Sequence, residues 1–124
     1  PKHVASRTLT RVEWSNATLI AGDVAEYVAQ LKHQDGPEIQ VHGSAGLIQT
    51  LLGNDLIDTF RVWTFPMLLG AGKRLFADGT RPAALKVTDH QLSSTGVTMT
   101  TYARAGDIQT GSFALEPASQ EPRP

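Results

Sequence analysis

The sequence contains no cysteine among its 124 residues. Disulfide bridges, thiolate metal sites and cysteine nucleophiles are therefore excluded, and the composition is typical of a reducing compartment such as the cytoplasm. The sequence also lacks any run approaching the roughly 18 consecutive apolar residues that a membrane-spanning helix needs. Neither a disulfide-stapled secreted fold nor an integral membrane protein is predicted.

An excess of charge of one sign is missing too. The 11 Lys and Arg residues and 12 Asp and Glu residues leave a formal net charge of −1. Nucleic acid and anionic lipid favour clustered basic residues, so neither is an expected partner. The histidines do not show the spacing of metal ligands, and we expect no metal site; they are His3, His33, His42 and His90.

What the sequence does contain, 40% hydrophobic residues in 124, suits one compact domain with its own core. The chain opens with Pro1 directly before a strand-like segment, which indicates a piece of a longer protein. At the other end, residues 117–124 are rich in Pro, Ser and Glu and are predicted to form a solvated tail.

The first half of the chain alternates short strands with helices. Strands or extended segments are predicted at His3–Ala5 and Leu19–Ala21. Helical spacing of apolar residues then predicts a helix from Gly22-Asp23 to His33, with Asp23 and Glu26 as a capping-box-like pair. Ile39 and Val41 alternate with polar residues as in another strand. A second helix follows, with Gly53-Asn54 as its stop and an apolar face formed by Leu47, Ile48, Leu51 and Leu52.

The second half of the sequence is predicted to form mainly strands. Residues 59–65 are apolar or aromatic at both parities, which predicts a central strand covered on both faces. Ala84–Thr88 and Val97–Ala103 flank turn-forming residues 93–96 and are predicted to form an antiparallel pair. The overall prediction is an α/β fold with a mixed sheet and helices packed against its faces.

The strongest local signal is the segment IQVHGSAGLIQTLL, residues 39–52. An extended stretch turns through Gly43 and Gly46 into a helix whose first backbone N–H groups lack internal partners, and such an end attracts phosphate. Gly43 allows close approach of a ligand, and Ser44 is placed either to cap the helix or to donate to a phosphate oxygen. The plainer alternative, an ordinary strand-to-helix turn with a serine cap, is common for short glycine motifs.

Two further segments carry groups that suit anions. Ser6, Arg7 and Thr8 end the first strand and offer two hydroxyls and a guanidinium, a set that suits a phosphomonoester such as the 2′-phosphate of NADPH. A solvated arginine between two turn residues is the alternative. The glycine-rich loop at residues 69–73 lacks the spacing and the Lys-Ser/Thr ending of a P-loop, which we reject; Lys73 and Arg74 are expected either in solvent or near an anionic ligand.

Taken in order, five segments resemble the C-terminal part of dihydrofolate-reductase-like proteins related to the reductase domain of bacterial riboflavin biosynthesis. They are KHVASRTL, GDVAEYVAQLK, IQVHGSAGLIQTLL, DLIDTFRVWTFPMLLGAGKRLF and GVTMTTYARAG, from about residue 2 to residue 106. The resemblance implies a dihydrofolate-reductase-like three-layer sandwich with a mixed, mostly parallel sheet ending in an antiparallel hairpin. It places this reductase domain at residues 1–106 and leaves residues 107–124 as a C-terminal extension.

The resemblance also implies NADPH as the hydride donor and assigns the residues that bind it. The Ser-Arg-Thr segment lies by the adenosine 2′-phosphate in such proteins, and the glycine-containing turn cradles the pyrophosphate. In this sequence the cofactor-binding residues would be Ser6, Arg7, Thr8, Gly43, Ser44, Ala45, Gly46 and Leu47. The Gly-Gly pair of classical dihydrofolate reductases reads Gly43-Ser44 here.

The family usually begins with a strand, a helix and another strand that shape the substrate and nicotinamide pocket. No segment of this sequence corresponds to them, so no catalytic residue is assigned. A sheet without these strands leaves unpaired edges and an uncovered apolar face, for which we expect a homo-oligomer, a dimer in the simplest case. The function predicted is an NADPH-dependent reductase acting on a small heterocyclic or carbonyl-like substrate. The alternatives are a non-catalytic nucleotide-binding or assembly module and a purely structural domain.

Overall fold

Two helices and five strands make up the part of the chain that the computed structural model describes, residues 1–111. The tail predicted for residues 117–124 lies outside these residues. In chain order the elements are β1 (Lys2–Val4), β2 (Ala17–Leu19), α1 (Val24–Lys32), α2 (Ala45–Gly53), β3 (Thr59–Thr64), β4 (Leu85–Leu92) and β5 (Thr98–Arg104).

The strands form two sheets. Strands β1 and β2 are parallel, with His3 opposite Thr18, and the ladder continues at its end through the Ile20 N–H, which donates to the Val4 carbonyl at 2.9 Å. Strands β3, β5 and β4 form an antiparallel sheet in that order. The tight turn between β4 and β5 is closed by the Gly96 N–H, which donates to the Ser93 carbonyl at 3.0 Å.

The predicted mixed α/β class is confirmed, and so is the antiparallel hairpin. Within residues 1–111, however, "mostly parallel" is wrong, because one strand pairing is parallel and two are antiparallel. The strand predicted at Ile39 and Val41 is also wrong, since these residues form no ladder with any described strand. A strand is defined by its hydrogen-bonded neighbour, and apolar alternation alone cannot supply that neighbour.

Helix α1 begins and ends as its sequence predicts. The side chain of Asp23 caps it by accepting a hydrogen bond from the Glu26 N–H at 2.8 Å, and the last turn closes at His33. The acidic Glu26 in the first turn and the basic Lys32 in the last both complement the helix dipole. Lys32 also reaches beyond the helix, where its ammonium donates to the Leu56 carbonyl at 3.0 Å and pairs with Asp58 at 2.7 Å.

Strand β3 is not the covered central strand that its apolar residues predict. It lies at one edge of the described sheet, and β5 occupies the centre. Only Phe60 is buried along β3, while the side chain of Trp63 remains 63% exposed. Apolar residues at both odd and even positions indicate that both faces of the strand need to be covered. They do not identify what covers them.

The core of residues 1–111 is small. Its buried hydrophobic side chains are Ile20 next to β2, Leu51 and Leu52 on α2, and Phe60 on β3. Phe60 meets the ring of Phe76 edge-on at 5.8 Å between centroids. All residues of β4 are exposed, so the sheet is open on that side. Among the described helices, none has the length and apolar character of a membrane span.

Candidate functional site

The residues before helix α2 have an unusual backbone. Gly43 has φ of +61° and Ser44 has φ of +56°, so two successive residues adopt the left-handed region. This conformation is easy for glycine but strained for serine. Strain of this kind is found at functional sites more often than elsewhere.

Ser44 occupies the N-cap position of α2 but its side chain does not cap the helix. The hydroxyl lies 3.5 Å from the His42 carbonyl, at the limit of a hydrogen bond. Across residues 1–111, no acceptor is bonded to the backbone N–H groups of residues 45–47. The ordinary serine cap is therefore wrong for this turn, and the start of α2 presents free donors together with the positive end of the helix dipole.

Two adjoining clefts meet at this helix start. One, of about 280 Å³, reaches along α2 to Gln49 and the segment 73–75. The other, of about 490 Å³, extends to the end of β1 at His3, Val4 and Ala5. Both clefts are lined by Ser44, Ala45 and Lys73, so they form one groove around the free N–H groups.

Lys73 reaches the groove because the glycine-rich loop is tied to α2. The amide of Gln49 donates to the Leu75 carbonyl at 2.8 Å and lies 3.5 Å from that of Arg74. Gly72, with φ of +153°, makes the turn immediately before the lysine. Lys73 is both exposed to solvent and part of the lining of the two clefts, so both positions expected for it hold, and a positive charge is available to the groove.

The Ser6, Arg7 and Thr8 segment follows directly from the strand end that lines the groove. The Ser6 hydroxyl accepts hydrogen bonds from the N–H groups of Thr8 at 3.2 Å and Leu9 at 3.1 Å, so it organises the turn. Arg7 and Thr8 are exposed. None of the three lines the clefts themselves, whereas Ala5, one residue earlier, does.

A comparison with protein families identifies the family of the chain that carries this groove. Residues 2–100 match the family described as the RibD C-terminal domain. The chain belongs to this family. The resemblance to the reductase domain of riboflavin biosynthesis is thereby confirmed.

Relatives of this RibD C-terminal domain are known from sequence and from structure. It is 36% identical over 101 residues to the uncharacterised protein YyaP of Bacillus subtilis strain 168, covering 82% of this chain and 53% of YyaP. It is 31% identical over 72 residues to the uncharacterised protein YwjB of the same organism, covering 58% of this chain and 41% of YwjB.

A crystal structure from Shewanella sp. PV-4, described as a candidate riboflavin biosynthesis protein, superimposes with a TM-score of 0.72 at 30% identity. The match covers 85% of this chain and 60% of that one. The RibD C-terminal domain described here thus spans about half the length of the curated relatives it matches.

Several groove residues escaped the sequence interpretation. Trp14 and His3 line the groove near β1, and Gln49 lines it along α2. His3 is held by Tyr27 of α1, whose hydroxyl lies 2.9 Å from the His3 Nδ1. These residues are far apart in the sequence and carry no motif, so only the fold brings them together. In residues 1–111, no three or more His, Asp or Glu side chains are grouped to hold a metal ion.

The segment that leads into the Gly43 turn is held by side chains. The Arg61 guanidinium of β3 donates to both carboxylate oxygens of Glu38, at 2.8 and 3.0 Å. Gln40 donates to Glu38 at 2.8 Å, and His42 lies 3.2 Å from the Gln40 amide oxygen. Hydrogen bonds from Arg61, and then from Gln40, lower the pKa of Glu38 to about 2 from an ordinary value of 4.5. The Glu38–Arg61 pair ties the segment to β3, which no strand ladder does within residues 1–111.

Because the Ser44 side chain caps nothing, we expect Ser44→Ala to change the free energy of unfolding by less than about 0.5 kcal/mol, as at an ordinary surface position. Asp23→Ala serves as the control, since removing a true cap costs about 0.5–2 kcal/mol. Both values are measured by urea denaturation. A Ser44→Ala loss as large as that of Asp23→Ala would show that the hydroxyl caps α2 after all.

The depressed pKa of Glu38 gives a second prediction. A carboxyl with a lowered folded-state pKa stabilises the fold above about pH 4.5, and this contribution disappears as the pH falls towards about 2. In Arg61→Ala the pKa of Glu38 should rise towards 4.5, as followed by carbon NMR of the side-chain carboxyl. Arg11→Ala, which removes the exposed partner of Glu13, is the control and should leave Glu38 unchanged. An unaltered Glu38 titration in Arg61→Ala would contradict the pairing.

Proposed function

We propose that this chain is the cofactor-binding part of an NADPH-dependent reductase of the riboflavin-biosynthesis type, in the reducing cytoplasm. When bound, NADPH supplies a hydride to a small heterocyclic or carbonyl-like substrate, and the protein supplies orientation and electrostatics. The observation that carries the proposal is the groove around the start of α2 in a chain of the RibD C-terminal domain family.

The groove suits the pyrophosphate of a dinucleotide. The N–H groups of Ala45, Gly46 and Leu47 have no partner in residues 1–111, and Lys73 adds a positive charge beside them. A Cβ built on Gly43 would meet nothing within 4 Å, so the space in front of this turn is open to a ligand. Oriented N–H donors, a helix dipole and an ammonium are the groups by which proteins bind phosphates.

The 2′-phosphate would be bound at Ser6, Arg7 and Thr8. Arg7 is exposed and forms no ion pair with any described residue, so its guanidinium is available to an anion. Ser6 already uses its hydroxyl oxygen as an acceptor within the turn but keeps its hydrogen to donate. Thr8 offers a further exposed hydroxyl. The segment follows directly from Ala5, which lines the groove, and this adjacency supports the assignment.

The groups that react with the substrate are not among the residues assigned here. The side chains assigned here are phosphate-binding groups, so these residues would bind and orient the cofactor, and no catalytic residue is assigned. We infer that the complete fold is the three-layer sandwich of dihydrofolate-reductase-like proteins. Residues 1–106 would form its cofactor-binding part, with 107–124 as an extension.

Calorimetric titration with NADPH and NADH tests the proposal. Selective binding of NADPH is expected, because only NADPH carries a 2′-phosphate for Arg7. In Arg7→Ala the affinity for NADPH should fall about tenfold or more, as for loss of a charged hydrogen bond, and that for NADH less than twofold. Arg81→Ala removes another exposed arginine and should change neither affinity.

Equal losses for NADPH and NADH in Arg7→Ala would contradict the assignment of the 2′-phosphate. No binding of either dinucleotide to the folded wild-type chain would contradict the cofactor role as a whole and favour a purely structural domain. Tight NADPH binding without NADPH consumption, with candidate substrates present, would favour the non-catalytic nucleotide-binding module.

We also propose that a second copy of the chain covers the open side of the antiparallel sheet. Strand β4 is an edge strand whose residues are all exposed, and Val87 and Leu92 on it are 58% and 67% exposed. Exposed edge strands of this length invite pairing with another chain. Light scattering coupled to size-exclusion chromatography should give a dimer mass, and Val87→Lys should shift it towards monomer. A monodisperse wild-type monomer would contradict this proposal.

A further inference from the structure

Trp14 is a large aromatic side chain in the groove, and its exposure to solvent is unusually high. It is 71% exposed, although tryptophan usually buries most of its surface. It lines the same cleft as Ala5, the start of α2 and Lys73. The other tryptophan of the chain, Trp63, lines neither cleft.

One contact of the Trp14 ring comes from the Lys2 side chain. The Lys2 ammonium lies over the indole at 5.9 Å from the ring centroid, and it also lies 3.4 Å from the Ser15 carbonyl. A cation over an aromatic face is an attractive contact that favours one orientation of the ring. The residue is thus a flat, oriented aromatic surface at the wall of a cleft that is otherwise suited to phosphate.

We infer that Trp14 stacks against the adenine ring of the dinucleotide. The inference rests on the proposed function. In NADPH the adenine and the 2′-phosphate are attached to neighbouring carbons of one ribose, and the pyrophosphate is attached to the same sugar. A ribose with its 2′-phosphate at Arg7 and its pyrophosphate at the start of α2 therefore places its base near both. Trp14 and His3 are the aromatic side chains that line this cleft, and His3 is already engaged by Tyr27, whereas the Trp14 ring is largely exposed.

The indole of Trp14 suits a nucleobase as its ligand. Stacking on an aromatic surface is a principal way in which proteins bind nucleobases, and it needs no hydrogen-bonding code. The nicotinamide ring, at the far end of the pyrophosphate, has no comparable reason to lie beside the 2′-phosphate. The adenosine half of the cofactor is therefore the part that Trp14 contacts.

The first test uses adenosine 2′,5′-bisphosphate, which carries the base and the 2′-phosphate but no nicotinamide. Calorimetry should show about 5- to 150-fold weaker binding to Trp14→Ala than to wild type, the range for loss of one base stack. Trp14→Phe keeps an aromatic ring and should recover part of the affinity. Trp63→Phe should bind as wild type does. Because Trp14 is largely exposed, these variants should fold.

Tryptophan fluorescence gives a readout that a merely structural role would not move. In Trp63→Phe the only tryptophan is Trp14, and the bisphosphate should quench its emission. In Trp14→Phe the only tryptophan is Trp63, and the bisphosphate should leave its emission unchanged.

The outcomes separate the inference from the function on which it rests. Wild-type affinity in Trp14→Ala, or equal quenching of Trp63, would overturn the stacking role while NADPH binding remained. Weakened binding of nicotinamide mononucleotide, with unaltered binding of the bisphosphate, would overturn the choice of adenine. A wild-type chain that binds neither NADPH nor the bisphosphate would overturn both the inference and the proposed function.

Discussion

The anchoring of helix α2 is the constraint on which the rest of the structure depends. Leu51 and Leu52, near its C-terminal end, are among the few side chains buried in residues 1–111. Burying two leucines contributes on the order of 3–6 kcal/mol, which fixes the helix in the core. Its other end, at residues 44–47, projects from that core with its N–H groups unpaired. The groove residues from β1 and from the glycine-rich loop are arranged around that end.

Local signals in the sequence predicted local features well. The cap at Asp23, the stop at Asn54 and the turn at Ser93–Gly96 each follow from the conformational preferences of a few adjacent residues. The family could also be predicted, because five segments in order carry far more information than one motif. The sequence leaves Lys73 either in solvent or near an anionic ligand, and its place in the groove depends on Gln49, whose contact with the loop has no signal in the sequence.

The predictions that the structure contradicts concern contacts between distant parts of the chain. Ile39 and Val41 alternate as in a strand, yet no described strand pairs with them. Residues 59–65 have the composition of a covered strand, yet β3 lies at an edge. In both cases the apolar pattern indicates that a surface needs a neighbour, but it does not identify that neighbour. The serine cap considered for Ser44 is wrong for a local reason, since this residue adopts the left-handed backbone region and its side chain makes no capping hydrogen bond.

The side-chain contacts of Glu38 have a consequence for the conditions under which the groove keeps its shape. This carboxylate and Arg61 lie on the surface, where dissolved ions weaken their attraction. They hold the segment that ends at Gly43, and the segment has no strand ladder to replace them. Rising ionic strength therefore acts twice on an anionic ligand. It would screen a ligand bound as proposed from Lys73 and Arg7, and it would loosen the backbone that presents the N–H groups.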